Sequence, residues 1–154
     1  MGRVKASVTV PGRAAQAEAV WYDRSRWASW IDGFGHLKSL EGSWPDAGSR
    51  RVWDSRPGGR GRVVEQVERY ESRVGQVLRV EDERLEGTQE VRFEPAPDSV
   101  KITLSLDYTL KERSALTPVQ DLLTVRRPLT DSLRRTLRRF ASELAAEKQF
   151  GSAR

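Results

Sequence analysis

Residues 4–10, VKASVTV, alternate strictly: Val4, Ala6, Val8 and Val10 fall on one face, Lys5, Ser7 and Thr9 on the other. A period of two over that length predicts a strand with one buried face. Pro11-Gly12 ends it, and the alanine-rich RAAQAEAVWY that follows predicts a short helix. A second short helix carries Trp27, Trp30 and Ile31, with Asp23 or Ser25 as its cap and Gly33 and Gly35 closing it. Three tryptophans in ten residues, Trp21, Trp27 and Trp30, need a surface to pack against, which this polar, glycine-punctuated segment does not itself supply.

After residue 35 the period returns to two. HLKSLEG predicts a short strand, and SRRVWDSR and GRVVEQVERYES flank a PGG turn as a hairpin. GQVLRVED and LEGTQEVRFEPAPDS predict further strands. The clearest spans 100–110, where Val100, Ile102, Leu104, Leu106, Tyr108 and Leu110 share one face and Lys101, Thr103, Ser105, Asp107 and Thr109 the other. Such a pattern belongs to an antiparallel sheet, wet on one side and covered on the other. The cover is a helix over 129–146, whose Leu129, Leu133, Leu137, Phe140 and Leu144 recur at spacings of three and four. Pro128 fits its first turn, and 114–127 is a loop or a separate helix set off by that proline.

The order of elements is one strand, two short helices, six or so antiparallel strands and one long amphipathic helix. A helix laid on the concave face of a curved sheet encloses space between the two. The segment VTVPGRAAQAEAVWYDRSRWASWIDGFGHLKSLEG, with Asp23, Trp27 and Trp30 in an Asp-x-x-x-Trp-x-x-Trp stretch, resembles the START-like or SRPBCC superfamily, and within it the polyketide cyclase/dehydrase-like and lipid-transport group. The likeness covers about residues 3–147. One departure is Ala28-Ser29, where relatives often carry a proline between the tryptophans.

The resemblance implies an α+β helix-grip fold, as in birch-pollen-allergen-type proteins. A curved antiparallel sheet of six or seven strands wraps a long C-terminal helix, and two short helices follow the first strand. It implies one domain over 1–147, with 148–154 as a frayed tail. It also implies that Trp27 and Trp30 wedge into the open end of the sheet against the helix, with a void opening near Trp30.

Composition narrows the partners. Net charge is +5 with a pI near 10.0, almost all from arginine. No nucleic-acid motif accompanies the charge, so no specific nucleic acid is expected, and at most weak electrostatic contact with an anionic membrane. Arg134, Arg135, Arg138 and Arg139 fall opposite the leucine stripe at about 100° per residue, as on an ordinary surface helix. No cysteine is present, so disulfides and thiolate metal sites are excluded. MGRVKASVTV has charge but no apolar signal core, and a cytoplasmic protein, monomer or homodimer, is expected.

Catalytic signals are sparse. His36 is the one histidine, and scattered carboxylates beside it make no metal set, so no metal or other cofactor is expected. RPGGRGR lacks the lysine and helix of a phosphate loop and reads as a hairpin tip, although Arg56, Arg60 and Arg62 there are able to meet an anion. Glu65, Glu68, Glu71, Glu81, Asp82, Glu83, Glu86 and Glu90 interleave with arginines and read as a solvated face of cross-strand pairs. The register of 62–71 leaves open which of its faces lines the interior.

In the fold that the resemblance implies, the residues lining the cavity are Trp30, Trp53, Leu78, Gln89, Val91, Phe93, Leu104, Leu106, Tyr108, Leu133, Leu137 and Phe140. Each apolar one also has a plain core role. The polar groups placed to meet a ligand are Tyr108, Gln89 and Gln76, with Arg51 or His36 at the rim. Three readings follow: binding of an apolar or aromatic molecule such as a lipid, isoprenoid or polyketide; a cyclase or dehydratase in which Tyr108 or His36 polarises a carbonyl; or an interaction protein using its arginine face.

Overall fold

A computed structural model describes residues 2–112 and 117–152. Seven strands form one antiparallel sheet: β1 (Gly2–Pro11), β2 (Phe34–Glu41), β3 (Arg50–Ser55), β4 (Arg62–Glu71), β5 (Gly75–Glu81), β6 (Leu85–Pro95) and β7 (Ser99–Leu110). Their order across the sheet is β1-β7-β6-β5-β4-β3-β2. The two strands joined by the short helices α1 (Ala14–Trp21) and α2 (Trp27–Trp30) therefore sit at opposite edges, so the helical segment must cross one end of the sheet. The long helix α4 (Arg127–Ser152) lies along the inner face.

Register explains which side is inside. Val10, Val8, Ala6 and Val4 of β1 stand opposite Val100, Ile102, Leu104 and Leu106 of β7, and these oppose Pro95, Phe93, Val91 and Gln89 of β6. The alternation read from 4–10 and 100–110 is thus one continuous apolar face. Leu133, Leu137, Phe140 and Leu144 of α4 are buried against the sheet and the short helices, while Arg134, Arg135, Arg138 and Arg139 face water.

The tryptophans fill the end that α1 and α2 cross. Trp21 and Trp30 pack at 4.3 Å between ring centroids, and each meets Phe140 edge-on, at 4.9 and 5.3 Å. The Trp27 indole N–H donates to the Trp21 carbonyl at 3.0 Å. Asp23 starts the single 3₁₀ turn Arg24–Arg26 by accepting from the Ser25 N–H. Arg26 then reaches Glu143 and Glu147, pinning the segment to α4. Aromatic pairs of this kind contribute about 0.5–1.5 kcal/mol each beyond their buried area. Little space remains at Trp30, so the open region lies elsewhere.

Pro128 does not set off a separate helix. A short helix α3 (Pro118–Asp121) continues through a π-turn, Leu122–Arg126, directly into α4. Proline cannot donate the i→i−4 hydrogen bond, and its ring crowds the carbonyl four residues back. The widened turn just before Pro128 accommodates both defects without a break. The result is the helix-grip arrangement, an open curved sheet wrapped around one long helix.

Candidate ligand-binding cleft

Beyond the end plugged by tryptophan, sheet and helix diverge. A cleft of about 380 Å³ opens between β6 and β7 on one side and the π-turn and first turns of α4 on the other. Its apolar walls are Leu85, Leu106 and Leu110 from the strands and Val125, Pro128, Leu129 and Leu133 from the helix. Gln89 is the one strand amide in the lining, half-buried, and no hydrogen-bond partner for it occurs among the described residues. The β3–β4 hairpin tip (Gly58, Gly59, Arg60), the β5–β6 turn (Asp82, Arg84) and Arg135 of α4 form the mouth.

The mouth is built on Asp82. This carboxylate is buried at the β5–β6 turn and accepts the backbone N–H groups of Arg84 and Leu85 at 2.8 and 3.0 Å. Its other oxygen takes Arg60 Nε at 2.8 Å. The Arg60 guanidinium also lies 5.5 Å from the Trp53 ring centroid, so its position is fixed from two directions. Arg84 has no side-chain partner among the described residues, and Arg135 is held by Asp32.

Behind Arg60 lies a buried polar network. Glu65 accepts from Arg51 Nε at 2.8 Å and from the Trp53 indole N–H at 2.6 Å. The Arg51 guanidinium is sandwiched between Trp27 and Trp44, 4.4 and 4.5 Å from their centroids. Burial opposes ionisation of Glu65, but the charge and hydrogen bond of Arg51, with help from Arg60 and Trp53, hold its carboxyl below the ordinary carboxylate range. The network fills the sheet interior near β3 and β4, and its Trp53 ring lies beneath the Arg60 guanidinium.

Residues 1–145 match the family described as polyketide cyclase/dehydrase and lipid transport. The chain belongs to this family. No curated protein sequence matches it significantly. Among solved structures it is similar to the Zhui aromatase/cyclase of Streptomyces sp. R1128, at 15% identity and TM-score 0.73 over 95% of this chain and 94% of that one. It is also similar to norcoclaurine synthase from Thalictrum flavum, at 14% identity and TM-score 0.68 over 94% of this chain and 86% of that one. A third likeness is TTHA0849 from Thermus thermophilus, at 16% identity and TM-score 0.72 over 94% and 98% of the two chains. At these identities the likenesses speak for the fold.

On this polyketide cyclase/dehydrase and lipid-transport fold, the residues read as cavity-lining separate into two groups. Gln89, Leu106 and Leu133 line the cleft. Trp30, Leu78, Val91, Phe93, Leu104, Leu137 and Phe140 are packed into the continuous core, and Trp53 stands behind Arg60. Tyr108 is also outside the cleft lining. Its ring lies over Gly2 of β1, where a side chain would collide with it, and its buried hydroxyl has no partner among the described residues. Gln76 donates to the Pro45 carbonyl, Arg51 is committed to Glu65, and His36 lies exposed on β2 beside Asp54. Among the described residues, no three His, Asp or Glu side chains gather as a metal site would need.

Two of the carboxylates read as solvated are buried instead. Glu65 shares a face with Val63 and Val67 of β4, opposite Val80, which is the inner face. Asp82 is an Asx-type turn residue, and the run Asp-Glu-Arg-Leu before a strand is a signal for that role. Arg60, a hairpin-tip arginine with Arg56 and Arg62, is the one of the three that lines the mouth, bound to Asp82. No helix among the described residues is long and apolar enough to cross a membrane.

Proposed function

We propose that this protein binds a small apolar or aromatic molecule in the cleft between β6–β7 and the first half of α4. The observation that carries the reading is the cleft itself: apolar walls from both layers, an amide at Gln89 with no partner among the described residues, and a polar mouth. Sites for small molecules have this make-up, with volumes of about 300–1,000 Å³. At about 380 Å³ the cleft lies at the small end of that range, which favours a one- or two-ring body or a short chain over a full lipid or isoprenoid. Membership of the family supports a hydrophobic ligand, and we place the activity in the cytoplasm, where a cysteine-free chain has no disulfide to lose.

Turnover is the second reading, since two of the similar folds are named as a cyclase and a synthase. A cyclase would need an acid or base at the ligand. Neither Tyr108 nor His36 lines the cleft, so the binding reading stands first.

Thermal denaturation in the presence of a panel of small aromatic and short-chain compounds tests the proposal. A ligand at 100 times its Kd stabilises the fold by about 2.7 kcal/mol, a rise of roughly 5–10 °C for a domain of this size. Leu129→Trp, at a half-buried cleft position, fills the space and removes the rise while the protein still folds. Compounds that leave the melting temperature unmoved, or that shift Leu129→Trp as much as the wild type, would refute it.

A further inference from the structure

We infer that the ligand is an anionic amphiphile, its apolar body in the cleft and its acid group against Arg60 and Arg84 at the mouth. This rests on the binding reading above and adds the chemical class of the ligand.

Charge at the mouth is the first argument. Among the described residues, the cations in the cleft lining are Arg60, Arg84 and Arg135, and the one carboxylate there is Asp82. Asp82 spends one oxygen on two backbone N–H groups and the other on Arg60 Nε. The two terminal nitrogens of Arg60 have no hydrogen-bond partner among the described residues, and neither does the Arg84 side chain. Asp32, next to the mouth, is shared by Arg135, Arg139 and Ser132, so it has little capacity left for a further cation. Glu83 lies over Gly61, and neither is among the cleft residues. The mouth therefore carries surplus positive charge above an apolar floor.

Preorganisation is the second. A solvated surface arginine swings freely, whereas Arg60 is tied to a buried carboxylate and seated near the Trp53 face. That holds its free N–H edge in place, which limits the side-chain entropy lost when an anion binds. A guanidinium fork recognises carboxylate and phosphate alike, by two parallel hydrogen bonds. Leu85 and Leu110, at the outer end of the floor, set the apolar body next to that edge. A neutral hydrocarbon would use the floor and leave the arginines idle; an acid with an aromatic or short aliphatic body uses both.

Calorimetric titration with three matched probes tests this: 6-phenylhexanoate, 6-phenylhexyl phosphate and 6-phenyl-1-hexanol. At low salt at least one of the two acids binds about 10-fold or more tighter than the alcohol, and the stronger of them identifies carboxylate or phosphate as the preferred head. Arg84→Gln, at an exposed side chain with no partner among the described residues, weakens the acid about 10-fold and leaves the alcohol unchanged. Arg60→Gln does the same if the fold survives; Arg60→Lys, which keeps the Asp82 contact, recovers part of the loss. Equal binding of acid and alcohol, or acid binding indifferent to Arg84→Gln, overturns the inference while leaving apolar binding in place. Failure of all three probes to bind would overturn this inference and the binding reading together.

Discussion

Glu65→Leu should be among the most damaging single substitutions in this chain. Arg51 and Glu65 side chains are 7% and 3% exposed, and their N–O contact is 2.8 Å. Removing Glu65 leaves a guanidinium buried between two indoles with no counter-ion, and it strips the Trp53 N–H of its acceptor. Breaking a buried pair from one side costs about 3–5 kcal/mol. That is a large part of a typical stability of about 5–15 kcal/mol, and it lowers the melting temperature by roughly 6–20 °C at this size. Arg51→Met is softer, because the orphaned carboxyl can take up a proton. The double variant Arg51→Met/Glu65→Leu removes both charges. It is expected within about 2 kcal/mol of wild type, the Trp53 N–H remaining unmet. Urea unfolding followed by far-ultraviolet circular dichroism gives the three values without relying on tryptophan emission. A Glu65→Leu loss under about 1 kcal/mol, or a double variant as damaged as the sum of the singles, would refute the argument.

Two further outcomes follow from α4. Leu137→Ala should lose about 2–5 kcal/mol, whereas Arg138→Ala on the wet face should change stability by under about 0.5 kcal/mol; chemical denaturation of both checks the orientation of the helix, and equal losses would contradict it. Burial disfavours the charge on Asp32, but hydrogen bonds from Arg135 and Ser132 and the charges of Arg135 and Arg139 prevail and lower its pKa. A folded-state value below the unfolded one means the contribution is complete above about pH 4 and is lost as pH falls through the lowered value. Asp32→Asn should therefore be less stable than wild type at pH 7, with the gap closing in acid; a gap that is constant with pH would show that the latch to α4 is not ionic.

The strands and the grip helix were legible because each has one buried face, and a period of two or 3.6 records it directly. Val4–Val10, Val100–Tyr108 and Leu129–Leu144 needed no tertiary information. The site was less legible, because the same apolar side chain serves a solid core or a cleft wall. Whether Leu104 or Leu106 meets open space depends on where Trp21, Trp30 and Phe140 have already filled it. Glu65 and Asp82 were obscured by their charge: along the chain they look like the glutamates of the outer face, and only the β4–β5 register and the turn geometry turn them inward. Arg60 became a cleft residue through the reach of its hairpin, which residue spacing does not encode.

The most direct test of the central claim is a map of backbone amide chemical shifts while isotope-labelled protein is titrated with 6-phenylhexanoate. A ligand in the cleft produces saturable changes at Leu85 and Gln89 of β6, Leu106 of β7, and Leu129 and Leu133 of α4, which together line it. Changes that never saturate, or that gather on the outer face of α4 around Arg134 and Arg138, would contradict it.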